Sequence, residues 1–175
     1  MQPQIVIRPA HPDDYQDIAR ITRDSYLEAG HFDDPGHPYM LAIQNVADRA
    51  EKALVWVAER AGQIIGSVTL ALAGEPFADI ALDGELEFRM LVVDPAVQRS
   101  GAGRALVEAV VGHARTLSDV HAVVLTTGSG WTGARALYER MGFHRAPERD
   151  WFVPGTDIKL LVYRLGLQPP TVEAT

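Results

Sequence analysis

The stretch from Leu91 to Leu106, Leu-Val-Val-Asp-Pro-Ala-Val-Gln-Arg-Ser-Gly-Ala-Gly-Arg-Ala-Leu, constrains the fold of this chain more than any other. It opens as an apolar, β-branched run and breaks at Asp94-Pro95. It then passes through Gln98-Arg99-Ser100-Gly101-Ala102-Gly103 into apolar residues at helical spacing, Ala105, Leu106, Ala109 and Val110. The pattern predicts strand, turn and helix. Gly101 and Gly103 free the backbone of Cβ atoms, so successive N–H groups can converge at the positive end of the helix dipole. A point of that kind holds phosphate. A tight turn before a helix is the plainer alternative. The dinucleotide-binding fingerprint is excluded because Leu106 stands where its third glycine belongs, and a P-loop because no Gly-Lys-Ser/Thr follows.

With Val93-Asp94-Pro95 before it, the Gln-x-x-Gly-x-Gly loop resembles the GNAT superfamily of acyl-coenzyme A dependent N-acetyltransferases. The resemblance implies that backbone amides of this loop hold the coenzyme A pyrophosphate. Gln98, Arg99, Ser100, Gly101, Ala102, Gly103 and Arg104 are then cofactor contacts, and so are Leu91, Val92 and Val93 at the end of the strand. The amides of Val92 and Val93 are the expected partners of the thioester oxygen and the pantetheine arm. Arg99 departs from the pattern, standing where glycine is common.

The run Ala134-Arg-Ala-Leu-Tyr-Glu-Arg-Met-Gly-Phe143 is a second and more specific resemblance, and it follows the first in the family's order. In that family the tyrosine matching Tyr138 lies near the coenzyme A sulfur and protonates the leaving thiolate. A phenol within hydrogen-bond reach can do this, although a helix aromatic at core spacing is ordinarily just packing. Trp131 replaces an asparagine common seven residues before this tyrosine, and is expected to wall the cleft instead.

Composition agrees with a single enzyme domain. At 175 residues and 47% hydrophobic, one core is expected. A net charge of −7 argues against nucleic-acid binding, which needs a basic footprint. Only Lys52 and Lys159 are lysines, so the positive groups are mostly arginines, suited to bidentate phosphate contacts. The absence of cysteine removes a disulfide framework, a thiolate nucleophile and cysteine metal ligation. Neither a signal peptide nor a membrane span is read, so a cytoplasmic location is expected.

In chain order, Gln4 to Arg8 alternates as a first strand, and Asp14 precedes a helix reaching about Ala29. In the family this helix and the segment after it wall the acceptor site, which makes Tyr26, His31, Phe32, Asp33, Asp34 and Tyr39 candidate substrate contacts. An ordinary solvated loop is the alternative, since Gly30, Pro35, Gly36 and Pro38 punctuate the segment. The same surroundings argue against His31 and His37 as metal ligands, and no metal is expected. A second helix is predicted over Met40–Lys52, a hairpin turning at Ala61-Gly62, and a loop over Glu75–Gly84. Further strands follow at Glu85–Val93 and Val120–Thr127, a helix at Thr132–Met141, and two last strands over Phe143–Phe152 and Asp157–Leu165.

Alternation in the strand from Glu85 puts Glu85, Glu87, Arg89 and Leu91 on one face. Attack by an amine needs that amine deprotonated, so a carboxylate beside the cleft, acting directly or through water, is the expected base. In the family a side-chain base often sits on this strand, and Glu87 fits best. A structural ion pair between Glu87 and Arg89 is the competing possibility. Asp33, Asp34, Asp83, Glu85 and Glu87 could together make the acceptor entrance negative and favour a cationic amine.

The expectation is therefore an α/β fold of about six to seven strands in a mixed sheet with about four helices. It forms one N-acetyltransferase domain over residues 4–166, with a disordered tail over 167–175. The expected activity moves an acetyl group from acetyl-coenzyme A to a small-molecule or peptide amine by direct attack, with Glu87 and Tyr138 catalytic. A homodimer is left open. The alternative function is a coenzyme A binding sensor without transfer activity.

Overall fold

The structure, a computed structural model, describes residues 3–30 and 32–167. Strands β1 (Ile5–Pro9), β2 (Leu54–Arg60), β3 (Gln63–Leu72) and β4 (Glu85–Val93) pair antiparallel in sequence order, and β4 then pairs in parallel with β5 (Ala122–Gly128). Beyond β5 lies β8 (Lys159–Gly166), antiparallel to it, carrying both β6 (His144–Arg145) and β7 (Trp151–Phe152). The β2–β3 hairpin turns at Ala61 and Gly62, as expected. Both have left-handed φ, +52° and +79°, which matches the twist of paired strands.

Two apolar layers sandwich this mixed sheet. One is formed by α1 (Tyr15–Glu28), α2 (Pro38–Ile43) and α3 (Val46–Lys52), through Ile18, Ile21, Met40, Ile43 and Val46, packed on Val55, Val57 and Val92. The other is formed by α4 (Ala102–Thr116) and α5 (Thr132–Arg140), through Leu106, Val107, Val110 and Tyr138, packed on Leu86, Phe88, Val123 and Leu125. Each helix buries one stripe because its apolar residues recur every three or four positions.

Four local readings of the sequence are corrected. The helix expected over Met40–Lys52 is two helices, because Asn45 leaves the helix and caps the second one, its Oδ1 accepting from the Asp48 N–H at 3.2 Å. Apolar spacing runs through the break unchanged, and the capping preference of asparagine decides. The strand expected over Phe143–Phe152 shrinks to two two-residue strands. Pro147 brings no N–H to a ladder, and Asp150 turns inward to Arg145, at 2.7 Å from each terminal nitrogen, and to the Val162 N–H at 3.0 Å. Of the tail expected over 167–175, Leu167 is tied down by its N–H to the His121 carbonyl at 2.8 Å, and the remainder lies outside the described residues.

The fourth correction concerns β4 and positions the site. Ser67 opposes Val92 and Thr69 opposes Arg89, so Met90 and Leu91 together face Val68 alone. This is a β-bulge, with Met90 at φ +51°. Beyond it the alternation changes phase. Met90 and Val92 pack under α1, whereas Leu91 and Val93 pack toward α4, so Leu91 does not share a face with Glu87. Just before the bulge, β4 also leaves β5, because their parallel register runs only from Glu85 opposite Ala122 to Phe88 opposite Leu125.

The base of that divergence is fastened electrostatically. Glu85, 3% exposed, accepts from Arg149 at 2.8 and 3.1 Å, from Arg164 at 3.1 Å and from the Leu82 N–H at 2.9 Å. Burial pushes its carboxyl up, but Arg149, the Leu82 amide and Arg164 outweigh that and hold it below the usual carboxylate range. A carboxyl depressed in the folded state contributes stability that is present above its unfolded pKa and lost as pH falls through its folded one. Arg149→Met should therefore cost roughly 3 kcal/mol at pH 7 by leaving Glu85 undercompensated. Urea melts from pH 7 down to pH 3 should show that cost shrinking as Glu85 protonates. A cost independent of pH would assign Arg149 to packing.

Candidate active site

Where β4 and β5 part, the sheet opens into a cleft of about 740 Å³. Its walls are the end of β4 (Leu91, Val92, Val93), the loop and first turn of α4 (Gln98 to Arg104), and residues of α5 and the loop before it, among them Trp131, Leu137, Tyr138 and Arg140. Ser25, Glu28 and Ala29 of α1 close the end. All ten residues expected to contact the cofactor line this one cleft, and so does Tyr138. Ser25, Glu28 and Ala29 are not found from the sequence, since nothing in the α1 pattern marks its end as facing a cleft.

The loop is shaped to expose amides. Arg99 has φ +63° and Gly101 φ +86°, so two left-handed residues one position apart, after the extended Gln98, lead into a helix of 15 residues. A left-handed residue at the entry to a helix helps turn neighbouring N–H groups to one side. Among the described residues the amides of Gly103 and Arg104 find no acceptor, as expected for a first helical turn. The Ala102 amide has only a long contact of 3.3 Å to Ser100 Oγ. The left-handed φ of Arg99 also explains why glycine would suit that position. The loop is anchored from behind by Asp94, whose carboxylate accepts from Ala96 N–H at 3.0 Å and Arg20 at 3.2 Å. The Val93 carbonyl is already taken by Ser25 Oγ at 3.0 Å.

Tyr138 is 4% exposed, with its ring packed among Phe88, Phe143 and Tyr163 at centroid distances of 5.9 to 6.1 Å. Its hydroxyl bonds no described residue while the side chain lines the cleft. Burial raises its pKa well above that of an ordinary phenol, so it stays protonated at neutral pH.

Comparison with known proteins agrees with this geometry. The family model described as "Acetyltransferase (GNAT) family" matches residues 15–143. This chain belongs to the GNAT family. It is 33% identical over 112 residues to N-acetyltransferase family 8 member 3 of Rattus norvegicus, covering 64% of this chain and 47% of that protein. It is 32% identical over 120 residues to the N-acetylaspartate synthetase of Danio rerio, covering 68% of this chain and 40% of that protein. The chain thus spans less than half the length of these relatives. In fold it is similar to yncA from Salmonella typhimurium, whose structure was determined with its cofactor acetyl-CoA. The TM-score there is 0.68 and the identity 21%, over 94% of this chain and 95% of that one.

Within this GNAT chain, Glu87 is placed apart from the other candidates. It pairs opposite Val124 in the closed part of the sheet and does not line the cleft. It is 1% exposed, Oε2 accepts from the Ile80 and Ala81 amides at 3.0 and 3.1 Å, and Oε1 has no partner among the described residues. Burial pushes its pKa up, against the pull of those two amides and Arg89. The ion pair weighed between Glu87 and Arg89 is not formed, since Arg89 pairs with Asp79 at 3.0 Å.

Behind Trp131 of the cleft wall lies an aromatic cluster. Tyr26 meets Trp131 edge-on at 5.4 Å and Tyr39 at 6.3 Å, and Phe32 stacks on Tyr39 at 5.0 Å. Asp33 and Asp34 are exposed, and Asp34 caps its own loop through the Gly36 N–H. His31 lies outside the described residues. The acidic entrance expected from the sequence loses Glu85, which two arginines neutralise.

The loop geometry gives a direct test. A Cβ on Gly101 would meet open space, so valine there acts through the left-handed φ that β-branched residues avoid, and tilts the amides away. Calorimetric affinity for coenzyme A should fall at least about tenfold in Gly101→Val. In Gly112→Ala, mid-helix with nothing within 4 Å, affinity should hold while stability rises by about 0.5–1 kcal/mol. A folded Gly101→Val protein with unchanged affinity would remove the phosphate-loop reading.

Proposed function

We propose that this chain transfers an acetyl group from acetyl-coenzyme A to a primary amine, of a small molecule or a peptide, by direct attack in a ternary complex. The observation that carries this is the single cleft shared by the amide cluster at Ala102–Arg104, the unpaired edge of β4 at Leu91–Val93, and the Tyr138 hydroxyl. The amides and helix dipole would take the pyrophosphate, with Arg99, Arg104 and Arg140 at hand for remaining negative charge. The free edge of β4 offers backbone groups to the amide-bearing pantetheine arm, in the manner of an added strand.

In this reading the amine nitrogen attacks the thioester carbon, and the C–S bond breaks as the tetrahedral intermediate collapses. An amide N–H at Val92 or Val93 would hold the oxygen as it gains charge. Because Tyr138 holds its proton tightly, it serves the sulfur first as a hydrogen-bond donor, and the proton follows as the thiolate departs. The proton lost by the amine passes through water to Glu87, whose unpartnered Oε1 faces no competitor among the described residues. No covalent acyl-enzyme is required, and the chain has no cysteine to form one. The relatives named as N-acetyltransferase family 8 members support the same reaction. No observation favours the sensor alternative. A cytoplasmic location belongs to the same proposal.

Tyr138→Phe keeps the packing and removes the hydroxyl, so kcat should fall about a hundredfold with the KM for acetyl-coenzyme A within about twofold of wild type. Wild-type turnover in the folded variant would make Tyr138 a core aromatic. Glu87 must be ionised to accept a proton and its pKa is raised, so the wild-type rate should climb with pH above the ordinary glutamate range. That acid limb should be absent from the slower Glu87→Gln enzyme. An identical pH profile in both proteins would discard Glu87 as the base.

A further inference from the structure

Arg49 is the largest fully buried side chain of the described residues, at 1% exposure. Its Nη1 donates to Thr69 Oγ1 at 3.0 Å and its Nη2 to the Ile43 carbonyl at 2.8 Å, both neutral groups. Among the described residues no carboxylate reaches it. By contrast Arg89, Arg145 and Arg149, all less buried, face Asp79, Asp150 and Glu85. Burying an uncompensated guanidinium costs several kcal/mol, so an arginine kept this way points to a missing anion. Desolvation lowers its pKa to about 10, which still leaves it charged at neutral pH.

Its place in the fold says where that anion would come from. Thr69, which Arg49 touches, is the cross-strand partner of Arg89, the last residue before the bulge that opens the cleft. Two guanidinium groups therefore converge on the mid-sheet face beneath α1, and the Tyr26 hydroxyl lies within the field of both. Tyr26 packs edge-on against Trp131, which lines the cleft, and the half-buried Tyr39 and Phe32 continue the same aromatic cluster toward the surface. Ser67 Oγ, Thr126 Oγ1 and Glu87 Oε1, buried in the middle three strands, also lack partners among the described residues. Ser67 and Glu87 share the face of Thr69 by strand alternation, so the polar lining there exceeds what the protein satisfies by itself.

We infer that Arg49 is a specificity-determining residue that binds a carboxylate on the acceptor, so that the preferred substrate is an anionic amine. A carboxylate matches the fork of a guanidinium and can take two parallel N–H bonds. This rests on the transfer reading above and reverses the cationic preference expected from the acidic residues of the sequence. Of those residues, Glu85 is neutralised by arginine and Asp34 is engaged in its own turn.

The test is steady-state thiol release from acetyl-coenzyme A with amines paired so that only a carboxylate and its carboxamide differ, such as glycine and glycinamide, β-alanine and its amide, and aspartate and asparagine. At a pH where both members are equally protonated, wild-type kcat/KM should favour the carboxylate at least about tenfold in one or more pairs, chiefly through KM. Arg49→Gln should bring that ratio to within about twofold of unity. Arg49→Lys, which keeps charge but loses the fork, should fall between. A wild-type ratio at or below one in every pair overturns the inference while leaving transfer intact, and needs no variant. A full ratio surviving in folded Arg49→Gln overturns it as well, and makes Arg49 a tie between α2 and the sheet. Thiol release with no amine of either kind would instead remove the transfer reading, and this inference with it.

Discussion

The parting of β4 from β5 after Phe88 and Leu125 is the constraint on which the rest of this molecule depends. A parallel pair held to the end of both strands would satisfy every backbone group and leave no room for a ligand. Here the bulge at Met90 increases twist and turns the end of β4 away, while β5 stays paired with β8 through Gly128. The result is an unpaired strand edge inside the protein. An edge of that kind invites another extended chain, and the proposed pantetheine arm supplies one with amides of its own. The left-handed φ at Met90 stores strain where the site is built, and the packing of Val92 under α1 and Val93 against α4 holds it.

Charge is distributed to match two unlike ligands on a protein of net −7. At the loop end the positive potential comes mostly from backbone amides and a helix dipole, which net charge does not report, with Arg99, Arg104 and Arg140 around the mouth. In the sheet, Glu85 is consumed by Arg149 and Arg164, and its work is to clamp the closed part of the β4–β5 pair. Arg49 stands on the other side of the ledger, a buried cation without a carboxylate partner among the described residues. Counting acidic residues along the chain pointed to a negative acceptor site. Pairing charges in space removes Glu85 from that count and sets the buried Arg49 against it.

Much of this was legible in the sequence where chemistry is local. The glycine loop, the strand before it and the helix after it follow from residues adjacent in the chain, and all ten residues of that stretch proposed to contact the cofactor fall on one cleft wall. Tyr138 was found because its neighbours Glu139 to Phe143 mark the motif. What the sequence left hidden depends on partners distant in the chain. The phase change at Met90 has no glycine or proline to announce it, and it shows only in the pairing with β3, where two residues oppose Val68. The helix break at Asn45 is masked by apolar spacing that continues through it. Arg49 reads as one more charge on an amphipathic helix, and only the approach of Thr69 shows that its side chain points inward.

Whether this cleft performs transfer or only binds is most directly settled by mixing the protein with acetyl-coenzyme A, with and without a panel of amines, and counting free thiol and N-acetylated product together. Thiol and acetylated amine in equal amounts, with neither formed beyond background when the amine is withheld, is the expected result. Acetyl-coenzyme A that binds tightly yet stays intact in the presence of every amine would contradict it.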